Sequence, residues 1–492
     1  MRRSIFNFVL AVVVVVWPSF VILRPDAQRT KLRAAEQLWQ SGRITEAQRA
    51  YTLLQPDGDT AALVNVRLAG LALLRGECAA AQVYAAIALR APTRRDEAAQ
   101  AHLIAGACAA KRGATTYAEA EWQAIDPRSP MRPFADLLRG EIALQGGREQ
   151  AAVEHYSKAL QQSLPEPWSA LTRLRLAALV APAAPKTALL YLAAVPTKLP
   201  EPAPELRPFA SIDPDAIVTQ SQQLRAILTS SEASHMQLLG QYMLNQHLYR
   251  LALVRFEQVP PSAPEFPVAN AYAAYSRWNL GQTNAALAQL RELAAAFPDQ
   301  PVVATLFAAV ALEAGELDAA DAALDAAEAR YPLDPAIALT RSDILAARRD
   351  YPRALAERRR ARDIALADVK ARYALAVAEQ HRSLTHDLCG EGLVAARQAV
   401  GLASTDATAW QLLANIAYHC RAYEEAVRAA RDGLRYAPNE AALHFWLGAA
   451  LLEHGQPELG QKHLLAAADL APASEWRIRA EQLLGWQQHP NP

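Results

Sequence analysis

Fifty basic side chains cancel fifty acidic ones, so the 492-residue chain has no formal net charge. Duplex DNA is bound chiefly through phosphate neutralisation, which calls for a basic excess. Nucleic acid is therefore set aside as a partner. Glycine fills only 20 positions, and aromatic residues make up 7% of the chain. No Walker loop, dinucleotide fingerprint, H-E-x-x-H or G-x-S-x-G string occurs. The four cysteines include no C-x-x-C pair, which removes a zinc ribbon. No cofactor, metal or catalytic residue is expected, and the chain reads as a non-enzyme. Hydrophobic residues reach 52%, too many for a disordered chain. Much of that share is alanine, the best helix former, whereas a sheet-rich protein would carry more Val, Ile and Thr. The composition predicts an all-α protein. At roughly 100–200 residues per domain the length suggests three or four domains.

One long apolar run is present. Ile5 to Leu23 (IFNFVLAVVVVVWPSFVIL) contains no charge over 19 residues. At about 1.5 Å rise per residue it crosses a hydrocarbon core of about 30 Å. Trp17 and Phe20 suit the membrane interface, and Pro18 is tolerated near the end of such a helix. A cleaved signal peptide has a shorter apolar core and small residues before its cleavage site; the exit WPSFVILRPD has none at that spacing. Residues 5–23 are expected to be an uncleaved single-pass anchor. Arg2 and Arg3 on one flank oppose Arg24, Arg29, Lys31 and Arg33 on the other, so flank charge alone leaves orientation open.

The rest of the chain repeats. Pro298 and Pro332 are 34 residues apart, as are Pro438 and Pro472. Each closes a segment of one form: a helix with a small residue near its middle, a tight turn, then a second helix. In the segment from Pro301, Phe307, Ala308 and Ala311 precede Gly315, and Ala320, Leu324 and Ala327 precede Pro332. In the segment from Ala407, Trp410, Leu413, Ala414 and Ala417 are followed by Ala426, Ala430, Gly433 and Pro438. Small residues let paired helices approach to about 8–10 Å, and the prolines stop each second helix. These strings resemble the tetratricopeptide repeat, and the resemblance implies an α-solenoid of stacked helix pairs. Starts fall at Ala233, Pro267, Pro301, Pro335, Val369, Ala407 and Ala441, spaced by 34 except for a 38-residue step after Val369. The extra residues fall near His381 to Gly390. Further upstream, Gly42, Gly76, Gly113 and Gly147 are each followed five residues later by alanine. Trp168 to Ala194 reads as a degenerate pair.

Six prolines between Pro196 and Pro214 forbid a continuous helix. The expected organisation is an anchor and flank over 1–27, a solenoid segment over 28–196 and a proline-rich linker over 197–214. A second solenoid segment over 215–473 and a capping helix with tail over 474–492 complete it. In a stacked array the start of one repeat's second helix faces the end of the next repeat's first helix. That places Cys78 opposite Cys108 and Cys389 opposite Cys420, and two disulfides are expected, with buried thiols as the alternative. Disulfides persist in oxidising compartments, so they favour an extracytoplasmic body.

His381, His386, Cys389, His419 and Cys420 gather near the insertion, but their spacing matches no standard metal-ligand set. The run Glu357 to Arg362 (ERRRAR) reads as an exposed helix face with acids nearby. The resemblance implies that first helices line a concave groove. There it places Gln241, Asn245, Tyr275, Trp278, Asn279, Tyr373, Gln411, Asn415, Tyr418 and Phe445. Rings and amides suit an extended peptide. The carboxylate clamp of chaperone-binding members is not expected, because Thr305, Leu339 and Asp343 stand where its groups would be. Seven lysines against 43 arginines fit a GC-rich bacterial source. The resemblance thus implies a membrane-anchored scaffold that binds protein partners in a bacterial envelope. A component of a polysaccharide-export or secretion system is the alternative.

Overall fold

The computed structural model describes residues 28–485 apart from 56–57, 92–93, 210–212, 231–234 and 368. The expected anchor over 5–23 lies outside these residues. Among the described residues no helix is long and apolar enough to cross a membrane, and all regular structure is helical.

The chain forms two compact units. The first gathers the described residues up to Ala135, those from Glu201 to Phe209, and those from Leu465 onward. It contains α1 (28–40), α2 (Ile44–Thr52), α3 (Gly58–Leu74), α4 (Cys78–Arg90), α5 (Arg95–Lys111) and α6 (Thr115–Gln123). The second holds Asp136 to Pro200 and the described residues from Asp213 to Leu464. It starts within α7 (Arg132–Gln145) and continues with α8 (Glu149–Gln161), α9 (Trp168–Val180), α10 (Pro185–Ala193) and α11 (Pro214–Thr229). The regular pairs follow: α12 (His235–Asn245) with α13 (Tyr249–Glu257), α14 (Phe266–Asn279) with α15 (Thr283–Ala296), and α16 (Pro301–Glu313) with α17 (Leu317–Arg330). Next come α18 (Pro335–Ala347) with α19 (Tyr351–Ile364), α20 (Lys370–Leu384) with α21 (Leu393–Leu402), and α22 (Ala407–His419) with α23 (Tyr423–Gly433). The last regular pair is α24 (Ala441–Glu453) with α25 (Pro457–Leu470), and α26 (Glu475–Leu483) ends the described chain. Of the seven starts read from the sequence, Ala233 lies outside the described residues and the other six fall within one residue of the start of a first helix.

Local rules account for the pairs. The turn residue between helices has a left-handed backbone, as at Gly42 (φ 77°) and Gly315 (φ 82°), which glycine adopts without a Cβ clash. Asp334 and Asp406 cap α18 and α22 by accepting hydrogen bonds from the N–H of Ala336 and Thr408, both at 2.8 Å. A small residue in each first helix then receives a large one from its second helix. A Cβ added to Gly240 would stand 2.5 Å from the Phe256 ring, and Gly106 and Gly140 receive Trp122 and Tyr156 as closely. Ala308 against Leu324 continues the theme in a core shared by α14 to α18.

The division into units differs from the sequence expectation of a break at a proline linker. The segment with the prolines instead forms a short 3-10 helix, Pro204–Phe209, that packs into the first unit. Arg207 donates to the Trp39 and Gln40 carbonyls (3.0 and 3.3 Å), and Pro208 fills the space left by Gly70. The tail is also placed differently. The end of α25 and all of α26 belong with the N-terminal repeats. Asp469 accepts from the N–H and Oγ1 of Thr45 at 2.8 and 2.7 Å. Arg75 meets Glu481 at 3.1 Å and Glu77 at 3.0 Å, and Arg477 meets Glu481 at 3.2 Å.

Candidate partner-binding face

In the second unit the first helices form one layer. Successive members touch directly (α14 with α16, α16 with α18, α22 with α24), while second helices pack chiefly on first helices. The residues expected to bind a partner all stand on helices of this layer, with three distinct local outcomes.

Near the start of the layer, Gln241 is half-buried and Asn245 exposed. Tyr275 and Trp278 are half-buried and lean on the core beneath. Trp278 donates its indole N–H to Glu313 at 2.6 Å. The exposed Asn279 amide donates one N–H to the Tyr275 carbonyl at 2.9 Å, which leaves its second N–H and its oxygen for a partner.

The middle of the face is a polar cluster that sequence reasoning missed. Tyr373, expected in the groove, is 7% exposed and packs among Ala338, Ala361 and Ala365; it is a core residue. Burial raises its phenol pKa and no partner can reach its ring face. Next to it Ser342 and Gln380 are fully buried and bonded to each other at 3.2 Å. Arg358, one of the ERRRAR arginines, takes the place where other second helices insert Tyr, Phe or Leu. Its Nε donates to Ser342 (3.2 Å), and its other nitrogens donate to the Ala376 carbonyl (3.0 Å) and Asp343 (2.5 Å). Arg359, Arg360 and Arg362 are likewise engaged, with Glu391, with Glu328 and Glu357, and with Asp363 and Gln398. The run therefore stitches neighbouring repeats, with Arg358 half-buried between α18 and α20. The signal available in the sequence was a serine at the small position of α18 paired with an arginine at the large position of α19.

Toward the end of the layer, Gln411, Asn415 and Tyr418 are half-buried on α22. Tyr418 lies between Tyr423 and Trp446, ring centroids 5.8 and 5.5 Å away. Burial, then Glu453 and Tyr423, raise its pKa, so its hydroxyl keeps its proton and can donate. The Asn415 side-chain oxygen is buried and accepts no hydrogen bond. Phe445 is 5% exposed and belongs to the core with Trp446.

Cys389 and Cys420 form a disulfide with Cα atoms 5.3 Å apart. Cys389 lies within the π-helical turn Leu388–Gly392 near the insertion, which is entered through left-handed Thr385 and Asp387. The other expected bridge is corrected. Cys78 and Cys108 are thiols that touch through a hydrogen bond, and burial pushes the Cys108 thiol well up, which disfavours the thiolate that bridge formation needs. Among the described residues no group of three or more His, Cys, Asp or Glu is arranged to hold a metal ion.

Comparison with protein-family models finds no match, and comparison with characterised proteins finds none either. Solved structures similar to this chain include YrrB, described as a TPR protein with an unusual peptide-binding site: 16% identity, TM-score 0.30, 37% of this chain and 93% of that one. Yeast Tom70 aligns over 94% of this chain and 96% of its own at 12% identity and TM-score 0.39. The APC/C hetero-tetramer Cut9–Hcn1 aligns over 95% and 97% at 14% identity and TM-score 0.35. Superpositions at these scores carry no argument about function; the repeat assignment rests on the helix pairs described above.

Proposed function

We propose that this chain is a membrane-anchored tetratricopeptide-type scaffold that holds a protein partner on the first-helix face of its second unit. The observation that carries this reading is the Asn415 oxygen, a buried acceptor with no donor, about one turn of α22 from Gln411 and from Tyr418. Leaving such an acceptor unpaired costs about 1–3 kcal/mol. A backbone N–H from an extended segment would satisfy it, and Tyr418 would supply contact area. Binding by shape and local hydrogen bonds also agrees with the absence of net charge. Tethering is supported by the uncharged run Ile5 to Leu23, and an extracytoplasmic body by the Cys389–Cys420 bridge.

Crosslinking with mass spectrometry on intact membranes tests the reading. The expected result is a partner crosslinked to residues flanking Asn415. Its yield should fall in Asn415→Ala while the thermal midpoint holds or rises. A partner list unchanged by Asn415→Ala would overturn the assignment of this face.

A further inference from the structure

The outward face of α4 in the first unit exposes two branched aliphatic side chains on one helix. Second helices of a stacked array turn one side to solvent, and that side is ordinarily polar. Counted from the turn residue Arg421, α23 presents Glu424, Arg428, Arg431, Asp432 and Arg435. Counted in the same way from Gly76, α4 presents Ala79, Val83, Ala86, Ile87 and Arg90. Val83 is 59% exposed and Ile87 42%. No charge occurs between Glu77 and Arg90. Leu53, the residue that closes α2, is 79% exposed. An apolar stripe of this kind, rimmed by polar groups, marks an interaction surface.

We infer that this stripe rests on an anionic lipid surface. Two observations choose lipid over a protein groove. Exposed Arg90 closes α4 and exposed Arg94 immediately precedes α5, while α4 itself bears no acidic residue. An apolar face beside basic residues is the pattern of a helix lying in the headgroup region. The uncharged run also ends at Leu23, five residues before the first described residue of this same unit. A short tether makes contact with the same bilayer effectively intramolecular. The inference rests on the anchor proposed above.

The test uses the full chain reconstituted in vesicles of mixed phosphatidylglycerol and phosphatidylcholine. A photoreactive phenylalanine analogue is placed at Val83, at Ile87 or, as control, at Arg428. All three sites are exposed, and circular dichroism checks that each variant is folded. Flotation reports the anchor, and lipid adducts report the contact. The expected result is co-flotation of all three with several-fold more lipid adduct at 83 and 87 than at 428, falling when phosphatidylglycerol is omitted. Co-flotation with equal adducts at all sites, or with adducts to protein in place of lipid, would overturn the lipid contact alone. A chain that does not float would overturn the anchor and this inference together.

Discussion

Single residues show where the repeat pattern was readable and where it was not. The turn position is glycine in most repeats, but His247, Arg349 and Arg421 hold the same left-handed backbone at φ 57°, 63° and 58°. A side chain there costs roughly 1–2 kcal/mol, part of which glycine returns as unfolded-chain entropy. We expect Arg421→Gly to raise stability by up to about 1 kcal/mol in urea titration; a lower midpoint would refute the strain. The opposite case is Gly140, whose missing Cβ makes room for a fully buried Tyr156 held by Glu141 at 2.7 Å. Gly140→Ala gains helix propensity but forces the ring out, for a net loss of about 1–2 kcal/mol by the same titration. The 34-residue spacing announced both positions. The same register put Arg358 at the large position of α19, but within ERRRAR it looks like surface until Ser342 and Asp343 are seen around it.

Paired helices carry the pH behaviour. His444 and His463 face each other across α24 and α25, their Nδ1 atoms 3.0 Å apart, and the His444 Nε2 lies 3.0 Å from the Pro438 carbonyl. Burial first, then His444, Lys462 and Arg431, holds His463 at about 4; burial also lowers His444. A folded-state pKa below the unfolded value means stability present above about 6.5 and lost as pH falls toward 4. Hydrogen exchange in α24 should therefore quicken between pH 6.5 and 4, and His463→Phe should flatten the change; an equal pH response in the variant would count against the pair. A second element, α26, was expected to cap the last repeat. Its Arg477 and Glu481 are each under a tenth exposed and meet Arg75 and Glu77 of the α3–α4 turn. Removing Arg477 leaves Glu481 and Glu77 to share Arg75, a cost below the about 3–5 kcal/mol of a buried charge left with no partner. Arg477→Ala should expose α26 to proteolysis at low protease concentration, and unchanged protection would show that the contact contributes little.

At the scale of the molecule the cysteines give a direct check. The Cys389–Cys420 bridge closes a loop with a sequence separation of 31, which the chain-entropy estimate values at about 3–4 kcal/mol. Alkylation of denatured, unreduced protein should add two labels, on Cys78 and Cys108. Replacing Cys389 and Cys420 together by serine should lower stability by about that amount. Addition of four labels would remove the bridge and, with it, the support for an oxidising compartment. No labels at all would restore the second bridge that the sequence spacing suggested.

Helical class, repeat length and the positions of nearly all helix pairs followed from the sequence by itself, since they depend on local matters: alanine content, turn glycines, prolines and a 34-residue period. The candidate face followed only in part. Position in the repeat named Gln411, Asn415 and Tyr418, yet the same rule named Tyr373, which neighbouring alanines bury. Only the tertiary structure decided that the proline-rich segment and the C-terminal helix belong to the first unit. Those placements depend on contacts such as Thr45 with Asp469, separated by 424 residues. Periodicity reports what repeats between neighbours; a contact made once, between distant segments, leaves no period to read. The absence of net charge is read from composition, but only the fold shows which charges meet across repeats, as Arg397 meets Glu425.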